Sequence, residues 1–377
     1  MTDAELRAVR ELMPITRNCV YFDNASTGPL PATAVQAIRR FTERCSLEGE
    51  IPYDECEAVV EETRRMAAQL LHVRPEEIAF TKNTSAGIIL AIGSIPWRPG
   101  DNLIMMKDAF PADRYPYHYL LPDVEKRLVT SRELASGVDC VFRLVDRHTR
   151  AIALDWVHSP TGIRADIAAV TEFCRPLGVF LIVDAIQGLG VVDLDFGAVG
   201  ADFVCSSTNK WLLSPQGIGI TCVNASTMPR LKPCNLGWLS ARWEEFNDLQ
   251  TERVLKPDAG RYEEGTKNYL GIYGLRESLR IILGVGLAVI ERRVRQLDDR
   301  LRQGLRAQGY EIITPEEPRR SAGILLCRKP DSDMSERHLH LRHHRMVCAL
   351  REDCLRIAPH FYNTEEEVER FLAILGS

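Results

Sequence analysis

The feature that most constrains this chain is the run Val-Phe-Leu-Ile-Val at 179–183, which ends in Asp184. An unbroken apolar run, with no polar residue alternating through it, marks a strand buried on both faces of a parallel sheet. A carboxylate at the C-terminal lip of such a strand stands where open α/β sheets bind their ligands. Gln187 follows three positions on. A second apolar run, Phe203 to Cys205, leads into Ser206, Ser207, Thr208 and Asn209, then Lys210 with Trp211 directly behind it. One strand end therefore offers an acid and the next polar loop an amine. An amine condenses with an aldehyde to a Schiff base, and an ionised carboxylate beside a pyridine nitrogen keeps that nitrogen protonated. The pair points to pyridoxal phosphate. Alone, a strand-end Asp is more often a helix cap and a loop Lys a solvated charge.

Further strands are predicted at Ile78–Thr81, Asn102–Met106 and Ala151–Trp156, and a turn at 214–219 leads into another ending near Val223. Helices are predicted at 31–46, with Pro29 and Pro31 at its start, and from Asp166 to Arg175. Another opens at Asn83-Thr84-Ser85-Ala86-Gly87 and runs through Ile88–Ile92. Strand–helix–strand alternation at this spacing predicts a doubly wound, mainly parallel α/β sheet. Hydroxyls and free N–H groups at the helix start beside Thr84 and Ser85 make an anion site or an ordinary N-cap. No G-x-G-x-x-G follows a strand, which argues against a nicotinamide cofactor.

These residues resemble the class V aminotransferase superfamily of fold-type I pyridoxal-phosphate enzymes. That group includes cysteine desulfurases, selenocysteine lyases, isopenicillin N epimerase, kynureninase and related C–S lyases. The resemblance runs from about Tyr21 to the C-terminus. It implies a large cofactor domain at 21–260, a segment at 1–20 joining the small domain, and a linking helix with a smaller α+β domain at 261–377. It also implies that Lys210 bonds the cofactor, that Asp184 and Gln187 contact its ring side, and that Thr84, Ser85 and Ser207 grip its phosphate. Asn209 stands where the family has a histidine, and an amide can still donate a hydrogen bond there. At Ala109-Phe110-Pro111 desulfurases carry a histidine over the ring, whereas the segment here is closer to kynureninase. Phe110 is thus expected to stack on the cofactor, or else to pack as core. Asn24 in Asp-Asn-Ala-Ser is similar to the family's entry near the cofactor, or makes an Asx turn. His158 either touches substrate or is structural, and Ser159 takes the place of a desulfurase asparagine. Gly237-Trp238 is similar to an active-site loop. Glu264-Gly265-Thr266 resembles a motif whose threonine reaches the neighbouring subunit's phosphate, which implies a homodimer with shared sites. Leu355-Arg356-Ile357 resembles the segment whose arginine holds the α-carboxylate of an amino-acid substrate.

Composition narrows the rest. A net charge of -5 gives no electrostatic case for nucleic acid or an anionic membrane. The 11 cysteines are dispersed without a C-x-x-C pair, which suits reduced thiols in a cytoplasmic protein. No apolar run approaches a membrane span, and the N-terminus lacks the pattern of a signal peptide. His338, His340, His343 and His344 lie in one short helix or loop with nothing to orient them as metal ligands, so no metal is expected.

The reaction depends on a thiol. A desulfurase needs a mobile nucleophilic cysteine, but Cys348 falls in a strand-like run, Met346–Leu350, and Cys354 in the turn before Arg356. Both are expected to be packed rather than reactive. A C–S lyase acting on cysteine or an S-substituted cysteine is therefore the favoured function. Aminotransferase or epimerase is the alternative, desulfurase stands behind these, and a non-catalytic cofactor-binding scaffold comes last.

Overall fold

The structure is a computed structural model describing residues 1–49, 51–243 and 249–377. Its centre is a seven-stranded sheet. In chain order the strands are β1 (Ile78–Thr81), β2 (Asn102–Met106), β3 (Glu125–Val129), β4 (Thr149–Asp155), β5 (Phe180–Asp184), β6 (Phe203–Ser207) and β7 (Gly219–Val223). They lie in the order β1-β7-β6-β5-β4-β2-β3. Every pair from β6 to β3 is parallel, and β7 runs antiparallel to both β1 and β6. The protein is thus mixed α/β with a mainly parallel central sheet.

The middles of β2, β4 and β5 are apolar because each feeds two cores. Along β5, Leu181 and Val183 belong to the cluster on one face, while Phe180 and Ile182 belong to the cluster on the other. β2 divides in the same way: Ile104 and Met106 go to the first cluster, Leu103 and Met105 to the second. Side chains alternate across a strand, so burying both faces removes the polar half of the pattern. Polar groups are left to the strand ends.

The connecting helices begin on side-chain caps. Asn83 accepts from Ala86 N to start the helix Thr84–Ser94, and Asp166 accepts from Ala169 N to start Ile167–Cys174. The former helix packs so closely that a Cβ on Gly87 would stand 2.5 Å from Thr221 Oγ1 and 3.0 Å from Cys205 Cβ. Only glycine fits there.

A second sheet of four strands, all antiparallel, has the order Ala349–Arg351, Cys354–Ile357, Leu325–Arg328, Glu311–Ile312. Its core takes in Val20 and Phe22 from the N-terminal segment. The strand Val20–Tyr21 pairs in parallel with Met346–Val347, and Arg10 holds Glu367 at 2.7 Å.

Three features depart from the sequence-based expectations. The linking helix expected within 261–377 is two helices, Tyr269–Val285 and Leu287–Ala307, broken at Gly286 with φ of +86°. The strand expected at 346–350 is split, one part pairing with Val20–Tyr21 and the other with Cys354–Ile357. The edge strand β3, Glu-Lys-Arg-Leu-Val, and the helices Tyr53–Leu71 and Pro111–Leu120 were not expected at all. An edge strand with charged side chains lacks the apolar signal of its buried neighbours. No described helix is long and apolar enough to cross a membrane.

Ile182 is fully buried at the middle of β5. Ile182→Ala is expected to cost about 2–5 kcal/mol, by lost transfer energy and a residual cavity, read as a lower urea midpoint at constant slope.

Candidate active site

The carboxyl ends of β4, β5 and β6 open into a cavity of about 480 Å³. Its floor is acidic. Asp155 and Asp184 end β4 and β5 and face each other in register. Asp113, from the helix Pro111–Leu120, joins them, and one oxygen from each lies within 4.8 Å of the others. All three are buried. Burial first, and the neighbouring carboxylates second, push Asp113 and Asp155 well above the ordinary range. Burial also raises Asp184, to about 6, though Ile186 N donates to its Oδ1 at 2.8 Å and Lys210 attracts its charge. Asp113 Oδ2 is sealed from water with no donor among the described residues, so Asp113 sits there as a neutral acid. Its proton makes a hydrogen bond to Asp184 and favours charge on Asp184 alone.

Lys210 follows β6, with Nζ 5.8 Å from the centroid of the Phe110 ring. Burial lowers its pKa from 10.5 to about 8, and the nearby Arg356 and Arg351 add to that shift while Asp184 opposes it. The lysine is positioned from behind. The Trp211 indole donates to Gln187 Oε1 at 2.9 Å, and Trp211 O accepts from His360 Nε2 at the same distance. Gln187 Nε2 in turn donates to Ala25 O and Ser159 Oγ, both at 3.0 Å. Gly28 closes the other side: its N–H donates to Asn209 O at 2.8 Å, and a Cβ there would fall 2.0 Å from Lys210 O.

At the start of the helix Thr84–Ser94, Thr84 and Ser207 interlock. Thr84 N donates to Ser207 Oγ at 2.9 Å, and Ser207 N to Thr84 Oγ1 at 2.8 Å. With Ser85 they put hydroxyls and the positive end of an eleven-residue helix on the cavity. Arg356 is 2% exposed. It donates from Nη1 to Ser159 O at 3.1 Å and from Nη2 to Ser26 Oγ at 2.5 Å, and pairs with Asp23 at 3.4 Å. Its Nε has no hydrogen-bond partner among the described residues. Burial, then repulsion from Arg351, lowers its pKa to about 10.

Of the residues singled out from sequence, Thr84, Ser85, Phe110, Asp184, Gln187, Ser207, Lys210 and Arg356 all line this cavity. Four others do not. Asn24 is fully buried, its Nδ2 donating to Ala358 O and its Oδ1 accepting from Tyr362 OH, each at 2.8 Å. His158 is turned away: Nε2 donates to Asp108 O at 3.0 Å, so Nδ1 accepts from Thr161 Oγ1 at 2.8 Å. For His158 the structural alternative describes the contacts found, whereas the Asn24 amide joins Ala358 and Tyr362 rather than closing the expected Asx turn. Asn209 presents its carbonyl to Gly28, and Thr266 lies in the loop before the helix Tyr269–Val285. Cys348 is buried outside the cavity, and burial raises the pKa of both Cys348 and Cys354. His338 and His340 bond separately, to Cys348 O and Ser377 Oγ.

Asp113 and Asp155 escaped the sequence reading. A signal for Asp113 existed, since it stands four residues before buried Tyr117 on one helix face. A carboxylate in a core register calls for a partner.

The donor set, an amine, a buried carboxylate and a hydroxyl cup at a helix start, fits a phosphorylated aromatic aldehyde. Residues 20–371 match the family model described as aminotransferase class-V. The chain belongs to that family. It is a pyridoxal-phosphate-dependent enzyme. A probable cysteine desulfurase of Methanothermobacter thermautotrophicus is 26% identical over 96% of this chain and 95% of its own. Isopenicillin N epimerase of Streptomyces clavuligerus is also 26% identical, over 100% and 99%. Among solved structures, the cystine C–S lyase C-DES with its product cysteine persulfide superposes with a TM-score of 0.89, at 21% identity over 97% and 99% of the chains. The apo cysteine desulfurase of Thermococcus onnurineus gives 0.84, at 22% identity over 98% and 97%. These likenesses establish the fold.

Asp113→Asn keeps a donor toward Asp184 and is expected to retain pyridoxal-phosphate affinity. Asp113→Leu removes the donor and is expected to weaken it about tenfold, measured by fluorescence titration of the apo-protein.

Proposed function

We propose that this class-V enzyme is a C–S lyase, eliminating the sulfur substituent from cysteine or an S-substituted cysteine. The observation that carries this reading is the content of one cavity: it holds the Lys210 amine, the Asp184 carboxylate and the Arg356 guanidinium, while Cys348 and Cys354 lie elsewhere. When bound, the cofactor supplies an electron sink for the pair left when the substrate Cα–H bond breaks.

In this reading Asp184 pairs with the ring nitrogen, Thr84, Ser85 and Ser207 hold the phosphate, and Phe110 stacks on the ring. Burial raises Asp184 to about 6 even beside Lys210, and a cationic ring nitrogen against it would draw it back down. Arg356 takes the α-carboxylate, and its free Nε–H gains the acceptor it lacks. Lys210 Nζ, with its pKa near neutrality, accepts the Cα proton and returns it to the departing sulfur. The Cβ–S bond breaks, the sulfur leaves as the thiol with that proton, and the released enamine takes up water to give pyruvate and ammonia. Elimination needs no group beyond these. Desulfuration needs a thiol against the substrate sulfur, and epimerisation needs a second proton donor across from Lys210. His158, the histidine nearest that role by sequence, has both ring nitrogens engaged.

We also infer a homodimer in which Thr266 completes the neighbouring subunit's phosphate site. Eleven free thiols suit a reducing compartment such as the cytoplasm.

Incubation with L-cysteine is expected to yield pyruvate. Alanine with protein-bound sulfur would instead mean desulfuration, and neither product would move transamination or epimerisation ahead. Because burial disfavours the charged amine, covalent capture of pyridoxal phosphate by the apo-protein, trapped with borohydride, should rise with pH about a midpoint near 8 rather than 10.5. Lys210→Ala should give no adduct in the peptide carrying that position.

A further inference from the structure

The cavity carries a second guanidinium that elimination leaves unused. Arg351 ends the strand Ala349–Arg351 and lines the cavity with Arg356. The hairpin puts both on one face: Arg351 stands opposite Cys354, and Cys354 and Arg356 are two apart on the same strand. The two cations share one hydroxyl. Ser26 Oγ, in the turn after Asp23, accepts from Arg356 Nη2 at 2.5 Å and from Arg351 Nη2 at 3.1 Å. A hydroxyl oxygen has two lone pairs and can accept both bonds.

The two arginines differ in depth and in company. Arg356 is buried and has Asp23 as its carboxylate partner. Arg351 is exposed to the cavity and has no ion pair among the described residues, its other bond going to the Leu350 carbonyl of its own strand. Like charges held on one atom repel, and that arrangement invites anions from the cavity side. Once Arg356 has taken an α-carboxylate, Arg351 still presents N–H donors farther out, where a substrate side chain extends. A planar fork of donors matches a carboxylate better than it matches any neutral group.

We propose that Arg351 and Ser26 form a second anion subsite at the mouth of the cavity, so that the preferred substrate is an α-amino acid whose side chain ends in an acidic group. This rests on the amino-acid reading of Arg356. It makes Arg351 a specificity-determining residue, with no part in moving the proton or breaking the C–S bond.

The test compares S-carboxymethyl-L-cysteine with its uncharged isostere S-carbamoylmethyl-L-cysteine on the holoenzyme. Binding is read from the visible spectrum of the bound cofactor and cleavage from pyruvate. The acid is expected to bind about tenfold more tightly than the amide. Arg351→Gln should abolish that preference, so that the acid and the amide bind alike, while any change in kcat falls on both compounds equally. Arg351→Lys should restore part of it. Equal binding of the two compounds by the wild type would overturn the subsite, as would an equal loss on both in Arg351→Gln, which would place Arg351 on the α-carboxylate. Preferred binding of the acid without pyruvate would sink elimination and leave the subsite standing. Cleavage without preference would do the reverse, and binding of neither compound would remove both.

Discussion

A sheet buried on both faces can keep charged groups only at its strand ends, and the chemistry of this protein follows from that restriction. β4 from Ala151 to Leu154 and β5 from Phe180 to Val183 are apolar because each supplies side chains to two cores. Their last residues, Asp155 and Asp184, are the first positions free to be polar, and register places them side by side. Two adjacent carboxylates in a dry setting cannot both ionise cheaply. Asp113 makes three, and the result is a floor holding more protons than three exposed aspartates would. Charge concentrates on Asp184, which has a backbone N–H, a neutral acid and the Lys210 amine around it.

The opposite problem is solved at Lys210. An amine held in a buried site loses hydration, its pKa falls to about 8, and more of it stands neutral and ready to take a proton, so long as the chain keeps it there. Trp211 and Gln187 do this by tying the loop after β6 to Ala25, Ser159 and His360. The amine itself needs no hydrogen bond to be positioned. Its backbone is clamped by a buried indole on one side and by the close pass of Gly28 on the other.

Much of this was legible from residue order. Uninterrupted apolar runs located β5 and, to within two residues, β4, while Ile78–Thr81 and Asn102–Met106 were located at their observed ends. The acid and the amine were legible because each follows such a run. What escaped was whatever depends on contact between distant segments. Asp113 reads as one polar residue in a helix start, and nothing local says that its carboxyl lies against two others. Asn24 and His158 carry chemistry that could serve a ligand, but their partners, Tyr362 and Asp108, are supplied by other parts of the fold. Gly286 breaks a helix that the apolar periodicity on either side would carry straight through.

The pairing of Val20–Tyr21 with Met346–Val347 has a consequence for how the protein is made. Asn24 bonds to Ala358, 334 residues along the chain, and Ser26 meets Arg351 and Arg356. Residues 20–26 therefore find their places only after residues 346–358 have been made. The central sheet can assemble while synthesis continues, but the wall that bears Arg356 cannot close until the hairpin of Ala349–Ile357 has been made. During that interval the N-terminal segment has no strand to pair with, and the floor of three aspartates stays open to water. A nascent chain stalled before residue 346 would hold a lysine and an acid in place with nothing to orient a substrate above them.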